Sequence, residues 1–344
     1  HENDWLQPRI PVRLTMTAET EHPISQQRFY RYQDVIGLLS AAGPGFSGPV
    51  SVITGPDGNL WVANRANPNQ PEAVRITRCT KDGDFIEHFG EWGEEPGQFT
   101  WVTSIAFSPE GELFLADENT HRITVFDSNN GYVRCFGKHG NGPSEFDRPS
   151  GLAFAPDGSL YVVDTLNHRV QALTSSGKFK SQWGCFGDGE GQFNMPWGIA
   201  IDSADNVYIT DWRNDRVQKF DASGKFLLAF GSSGDAEGRF NRPNGIAVDS
   251  DGDIYVCDWM NDRVQIFDQA GSLKDVLIGH SGMSKWGRTF LDANPEIERK
   301  LALAVQNIEI KERFYRPVSV HVDSAGKVFV ADCYRHRVQI YQKL

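Results

Sequence analysis

Short runs in which apolar and polar residues alternate fill this chain, and the alternation returns at a fixed spacing. Within residues 240–278 the apolar positions step by two over Ile246–Asp249, Ile254–Cys257, Val264–Phe267 and Leu273–Ile278. A period of two over such lengths predicts strands with one buried face. Between the runs stand Ser250-Asp251-Gly252-Asp253 and Gln269-Ala270-Gly271-Ser272, whose glycine and aspartate supply the left-handed backbone angles of tight hairpins. The predicted unit is a four-stranded antiparallel meander.

The segment at 258–268, Asp-Trp-Met-Asn-Asp-Arg-Val-Gln-Ile-Phe-Asp, recurs with small changes at 211–221, 164–174, 117–127 and 332–341. An anchor residue, usually proline before a small residue and an apolar run, precedes each copy: Pro49, Val102, Pro149, Pro196, Pro243 and Pro317, successively 53, 47, 47, 47 and 74 residues apart. Six units are therefore present, and the last link carries an insertion at 280–314. A period in the forties with four short strands predicts an all-β, six-bladed β-propeller. The sixth unit has strand patterns only at Val318–Val322, Val328–Ala331 and Arg337–Tyr341, while a spare one, Phe29–Gly37, precedes the first unit. This N-terminal strand is expected to complete the last blade and so remove two open edges. Residues 29–344 then form the propeller, and 1–28, with Pro8, Pro11 and Pro23, an extended arm. In the insertion, Asp292–Glu296 marks a helix start, and Ile297, Leu301, Ala304, Val305 and Ile308 follow at helical spacing. That pattern predicts a helical lid over the axis or a segment packed on the rim.

The Asp-x-x-Asn-His/Asp-Arg-Val-Gln core, with Pro-x-Gly-Ile-Ala before it, resembles the NHL repeat family of six-bladed propellers over roughly residues 45–344. The first unit departs most: Asn64 replaces the aspartate, and residues 66–71 are inserted. The resemblance implies either an enzyme or a binding scaffold. In a similar propeller, the amidating lyase acting on peptidyl hydroxyglycines, zinc histidines directly follow the anchors. Here Val50, Thr103, Ser150, Trp197, Asn244 and Val318 occupy those positions, so that chemistry is not carried over. Lactonase-type propellers hold axial calcium with several acidic and amide groups, for which only Asn244 and Glu118 stand ready. No metal and no other cofactor are expected.

The repeated carboxylates and arginines invite a catalytic reading, but repetition in every blade points to structure. Asp117, Asp164, Asp211, Asp258 and Asp332 end strands where a carboxylate accepts loop N–H groups, and Arg122, Arg169, Arg216, Arg263 and Arg337 are placed five residues later to pair locally. Function is sought where blades differ. Trp197, Trp212 and Trp259 fall in consecutive blades on the loop face, with Arg213, Asn244 and Arg242 beside them. They predict a pocket offering flat stacking surfaces and cations to a planar, sugar-like or anionic ligand. His321 is the one acid–base candidate, an imidazole where other blades carry Ile53, Ala106, Ala153, Ala200 and Ala247.

Charge narrows the partners. A formal net charge of −11 opposes general nucleic-acid binding, although Arg65, Arg148, Arg213, Arg242 and Arg316 make the loop face comparatively basic. Asp57, Glu110, Asp157, Asp205 and Asp251 in the first hairpins make the opposite face acidic. No run of eighteen apolar residues exists, so no membrane span is expected. Five scattered cysteines, Cys79, Cys135, Cys185, Cys257 and Cys333, form no disulfide framework and are expected as buried thiols, which favours a cytoplasmic location while leaving a secreted mature chain open. The expected function is a binding or scaffold propeller recognising a protein partner or small ligand on the loop face. The alternative is a metal-independent lyase or hydrolase acting on a small anionic substrate through His321 with Arg213 or Arg242.

Overall fold

The computed structural model describes residues 29–40, 43–65, 70–297 and 312–344; the N-terminal arm predicted for 1–28 lies outside them. Six four-stranded antiparallel sheets surround one axis. Blade one contains β2 (Pro49–Thr54), β3 (Leu60–Asn64), β4 (Arg75–Cys79) and β5 (Phe85–Phe89), and blade two β6 (Val102–Phe107), β7 (Leu113–Asp117), β8 (Arg122–Phe126) and β9 (Tyr132–Phe136). Blade three contains β10 (Pro149–Phe154), β11 (Leu160–Asp164), β12 (Arg169–Leu173) and β13 (Phe179–Trp183). Blade four follows with β14 (Pro196–Ile201), β15 (Val207–Asp211), β16 (Arg216–Phe220) and β17 (Phe226–Phe230), and blade five with β18 (Pro243–Val248), β19 (Ile254–Asp258), β20 (Arg263–Phe267) and β21 (Leu273–Leu277).

Blade six is closed as the pattern predicts. Its inner strands β22 (Pro317–Val322), β23 (Lys327–Asp332) and β24 (Arg337–Lys343) take β1 (Tyr30–Ile36) as their outer edge. Tyr30 pairs with Lys343 and Ile36 with Val338. Each anchor begins an inner strand, so β2, β6, β10, β14, β18 and β22 line the axis. Their third positions are small for a steric reason: a Cβ on Gly198 or Gly245 would lie 2.3 or 2.5 Å from a carbonyl oxygen of the next blade. Where serine replaces glycine, its hydroxyl binds across blades, as Ser319 does to the Val52 N–H at 3.2 Å and Ser51 to that of Ile105 at 3.2 Å. Apolar residues on facing blades make the core, one cluster at each blade junction.

The repeated Asp is a structural hub. Asp164, Asp211, Asp258 and Asp332 are fully buried; each accepts a backbone N–H from the residue seventeen positions earlier and the Nε–H of its arginine at 2.7–2.9 Å. Blade two departs from the predicted pairing. Asp117 is taken by Thr100, through both N–H and hydroxyl, and Arg122 donates instead to the carbonyls of Glu94, Glu95 and Gln98.

Two further expectations change. Among the cysteines, all free, Cys79 and Cys257 are buried and Cys333 half-buried, but Cys135 and Cys185 are exposed; both sit on or beside outer strands, whose second face meets water. In the insertion a helix, α1, spans Lys285–Ala293, ahead of the predicted start. Ser284 caps it, accepting the Gly287 N–H, and buried Trp286 packs its ring 5.2 Å from Phe46 and 6.5 Å from Phe85. That places α1 on the outer wall where blades six and one meet. Leu301, Ala304, Val305 and Ile308, on which the predicted helix rested, lie outside the described residues. Among the described residues no helix is long and apolar enough to cross a membrane.

Candidate functional site

A latch between blades builds the loop face. The residue before strand three of a blade, His121, His168, Asp215, Asp262 or His336, accepts the N–H of the residue preceding the next anchor: Arg148, Met195, Arg242, Arg316 and Gly48, at 2.7–3.0 Å. The non-glycine donors of this contact hold a left-handed backbone, φ 59° at Arg242 and 62° at Arg316. The latch throws the side chain of Arg242 back over blade four and that of Arg316 back over blade five. Each lands on the tryptophan following the strand-ending aspartate: Arg242 lies 4.7 Å from the Trp212 ring centre and Arg316 5.1 Å from that of Trp259. Arg213 reaches Trp212 at 5.7 Å, and the two tryptophans lie 6.4 Å apart. Such cation–ring contacts contribute about 0.5–1 kcal/mol each at exposed sites.

The same pair forms between blades one and two with its members exchanged. Arg65 holds the position of Trp212 and Trp259, Trp101 that of Arg242 and Arg316, and they stack at 4.6 Å. Trp101 was not among the expected site residues. Aligning the residues before the anchors, Gly48, Trp101, Arg148, Met195, Arg242 and Arg316, exposes it as the one aromatic. Arg65 also pairs with buried Glu118, so its charge is neutralised.

These residues surround a cavity of about 830 Å³ at the loop face, lined by Trp101, Trp197, Trp212, Trp259, Asn244 and Arg65 with Thr103, Val318, Cys333 and Tyr334 among the others. Arg213, Arg242 and Arg316 stand behind its tryptophans. Arg148 does not line it. Asn244 borders this cavity and also the narrower axial tunnel of about 270 Å³ below; its side-chain amide makes no hydrogen bond to any described residue. Cys333 is no nucleophile at neutral pH, because burial pushes its thiol up to about 12.

His321 is elsewhere. It lines the tunnel, three residues and roughly 10 Å along β22 from Val318 at the strand rise of ~3.3 Å per residue. Its Nε2 meets the Thr54 hydroxyl at 3.1 Å and its ring stacks on Phe329. The structure therefore does not bring His321 together with Arg213 or Arg242. Burial, helped by the charge of Lys81, holds the imidazole down at about 4 against the pull of Asp323. The sign follows: the unfolded chain binds this proton near the ordinary histidine value and the folded one does not, so stability falls as pH drops from about 6.5 towards 4. Urea unfolding at about pH 7.5 and pH 5 should show His321→Ala losing about 2 kcal/mol less than the wild type over that interval. Parallel losses in the two proteins would mean the tunnel solvates the imidazolium.

A family model described as NHL repeat matches residues 146–173, 193–220, 240–267 and 314–341, the motifs of blades three to six; the copy in blade two is not matched. No curated protein matches the chain in sequence. Among solved structures, an inactive variant of virginiamycin B lyase from Staphylococcus aureus with quinupristin is 17% identical, at a TM-score of 0.57 over 92% of this chain and 100% of that one. XC5397, a gluconolactonase from Xanthomonas campestris, is 12% identical, at a TM-score of 0.58 over 86% of each chain. At these identities the likeness is one of fold. Four of the six blades thus carry NHL repeats, within a closed six-bladed β-propeller.

Proposed function

We propose that this propeller binds a planar, anionic small molecule in the loop-face cavity. The observation that carries the reading is the convergence of Trp197, Trp212 and Trp259 with the unspent amide of Asn244 in one cavity. A volume of about 830 Å³ suits a drug-sized ligand, and apolar walls with a few placed polar groups are what such sites need. Charge selects the ligand. Arg213 and Arg242 both contact Trp212 and neither forms an ion pair among the described residues, whereas Arg65 is matched by Glu118 and Arg316 lies 3.8 Å from Asp262. A cation entering the cavity meets rings already faced by guanidinium groups; an anion gains from two uncompensated ones. The use of this fold by a lyase crystallised with quinupristin and by a gluconolactonase accords with a small-molecule site. His321, down the tunnel, gives no support to a catalytic reading of the cavity.

The test is thermal shift and tryptophan fluorescence against a panel of aromatic carboxylates, sugar acids and nucleotides. A binder should raise the wild-type melting temperature, and the Arg213→Ala/Arg242→Ala double variant should bind it at least about tenfold more weakly, about 1.4 kcal/mol. Trp212→Ala should abolish the shift. A ligand bound equally by all three proteins would remove the site from this cavity, and a panel that leaves the wild type unmoved would favour a protein partner on the loop face.

A further inference from the structure

At the outer rim between blades two and three, a carboxylate lies between two imidazoles without serving the repeat. Asp147 Oδ1 is 3.6 Å from Nδ1 of His121, and its Oδ2 is 3.7 Å from Nε2 of His139; the imidazole rings are 4.6 Å apart. Both separations exceed hydrogen-bond length, and the side chains of Asp147 and His139 make no hydrogen bond to any described residue. Of the three, only His121 has a structural duty, the blade latch to the Arg148 N–H. Three corresponding junctions keep the latch and lose the others, with Phe186 and Asn194 beside His168, Ser233 and Asn241 beside Asp215, and Leu39 and Ser47 beside His336. At the Asp262 latch His280 falls at the spacing of His139, but Tyr315 takes the place of Asp147.

We propose that His121, His139 and Asp147 form a binding site for a divalent transition metal of the zinc or copper type. Two imidazoles and one carboxylate are the donor set such ions prefer over the oxygen-only sets of calcium and magnesium. The three donor atoms lie within 4.8 Å of one another. Around a tetrahedral zinc, donors at ~2.0–2.2 Å stand roughly 3.3 Å apart. The two carboxylate oxygens already lie 3.6 and 3.7 Å from the two imidazoles, and the widest donor separation, within 4.8 Å, has to close by a turn of His139. His139 is largely exposed and turns without disturbing the core. Binding has one cost, because the His121 nitrogen nearest Asp147 is the one that accepts the Arg148 N–H at 3.0 Å, and metal and latch compete for that lone pair. Water completes the coordination shell at the open side. The site is thus an accessible surface clip joining the second and third blades.

Isothermal titration with Zn²⁺ tests this on the full chain, comparing wild type with His139→Ala and Asp147→Asn, each checked for an unchanged far-UV spectrum. Both positions are solvent-accessible, so both variants should fold. The chain carries other histidines, His1 and His22 among them, so the readout is the class of sites that disappears. The wild type should bind one Zn²⁺ equivalent at least about tenfold more tightly than either variant, and only the wild type should gain melting temperature at that stoichiometry. Superimposable titrations of the three proteins would overturn the proposal, as would a wild type that takes up no Zn²⁺.

Discussion

Deleting residues 1–37 should abolish the cooperative unfolding transition of the ring, whereas deleting 1–28, which leaves β1 intact, should preserve it. Strand β1 is the outer edge of blade six and pairs with β24 from Tyr30 to Ile36. It contributes buried Tyr30, Val35 and Ile36, each worth about 1.5–3 kcal/mol of apolar burial. It also completes a polar lock. Tyr255 donates to Asp249 at 2.8 Å, which leaves its oxygen to accept from Tyr30 at 2.9 Å. Lys343, opposite Tyr30 on β24, reaches Asp249, Asp251 and Asp253 at 2.6–2.9 Å. Closure therefore ties the last blade to the fifth as well as to itself. At its far end β1 leaves through Gly37, φ 138°, where a Cβ would lie 2.5 Å from the His336 carbonyl oxygen. Losing this strand removes an amount comparable with the ~5–15 kcal/mol stability of a whole domain and exposes an unpaired β24 edge. Thermal melts and size-exclusion chromatography should show a broad transition and association into larger species. A sharp monomeric melt from the shorter chain would show that the ring stands without its closing strand.

The blades were legible because a propeller writes its geometry into a repeat. A strand-ending Asp, an Arg five residues on and a small residue two positions after each anchor recur because the blades must solve the same burial problem, so spacing alone predicted six sheets and the exchange of β1 into the last. The cavity was partly legible, since Trp197, Trp212, Trp259 and Asn244 stand where blades differ. What the repeat could not show is contact between blades. That Arg242 and Arg316 lie on the tryptophans of the preceding blade depends on the latch and its left-handed backbone, and Trp101 entered the site by exchanging places with its arginine. Arg148, alike in sequence, stands apart because its counterpart in blade two is Glu118 and offers no ring. Helix α1 escaped notice although Trp286, Phe290 and Leu291 recur at helical spacing, because nine residues with Gly287 inside are too short a run to stand as a helix on their own. It is held by the burial of Trp286 against two rings, a tertiary contact that leaves no local signature.

Replacing Asp258 with alanine should cost about 3–5 kcal/mol in urea unfolding, the range for removing one partner of a buried ion pair. Asp258 is fully buried and accepts four hydrogen bonds: from Asn241 N–H at 2.7 Å, Asn261 Nδ2 at 2.9 Å, Arg263 Nε at 2.7 Å and Gln265 Nε2 at 3.0 Å. Burial pushes its carboxyl above the ordinary value in spite of these donors. The charge itself therefore brings little net gain, and the loss in the variant comes from donors left facing no acceptor. Blade one shows what accommodation requires. There Asn64 stands in place of the aspartate, accepts the Ser47 N–H at 3.1 Å and donates to Val62, Arg75 and Thr77. An amide that donates cannot neutralise an arginine, and Arg75 turns instead to the carbonyls of Ser40, Gly43 and Gly45 at 3.1–3.2 Å. Arg263 has no such loop rebuilt around it and keeps its bonds to Ala236 and Arg239. Asp258→Asn should therefore cost less than Asp258→Ala yet still destabilise, and pairing Asp258→Ala with Arg263→Met should recover part of the loss by removing the stranded charge. An Asp258→Ala cost below about 1 kcal/mol would show that water enters the hub and replaces the carboxylate, leaving the repeated aspartate without the structural role its burial implies.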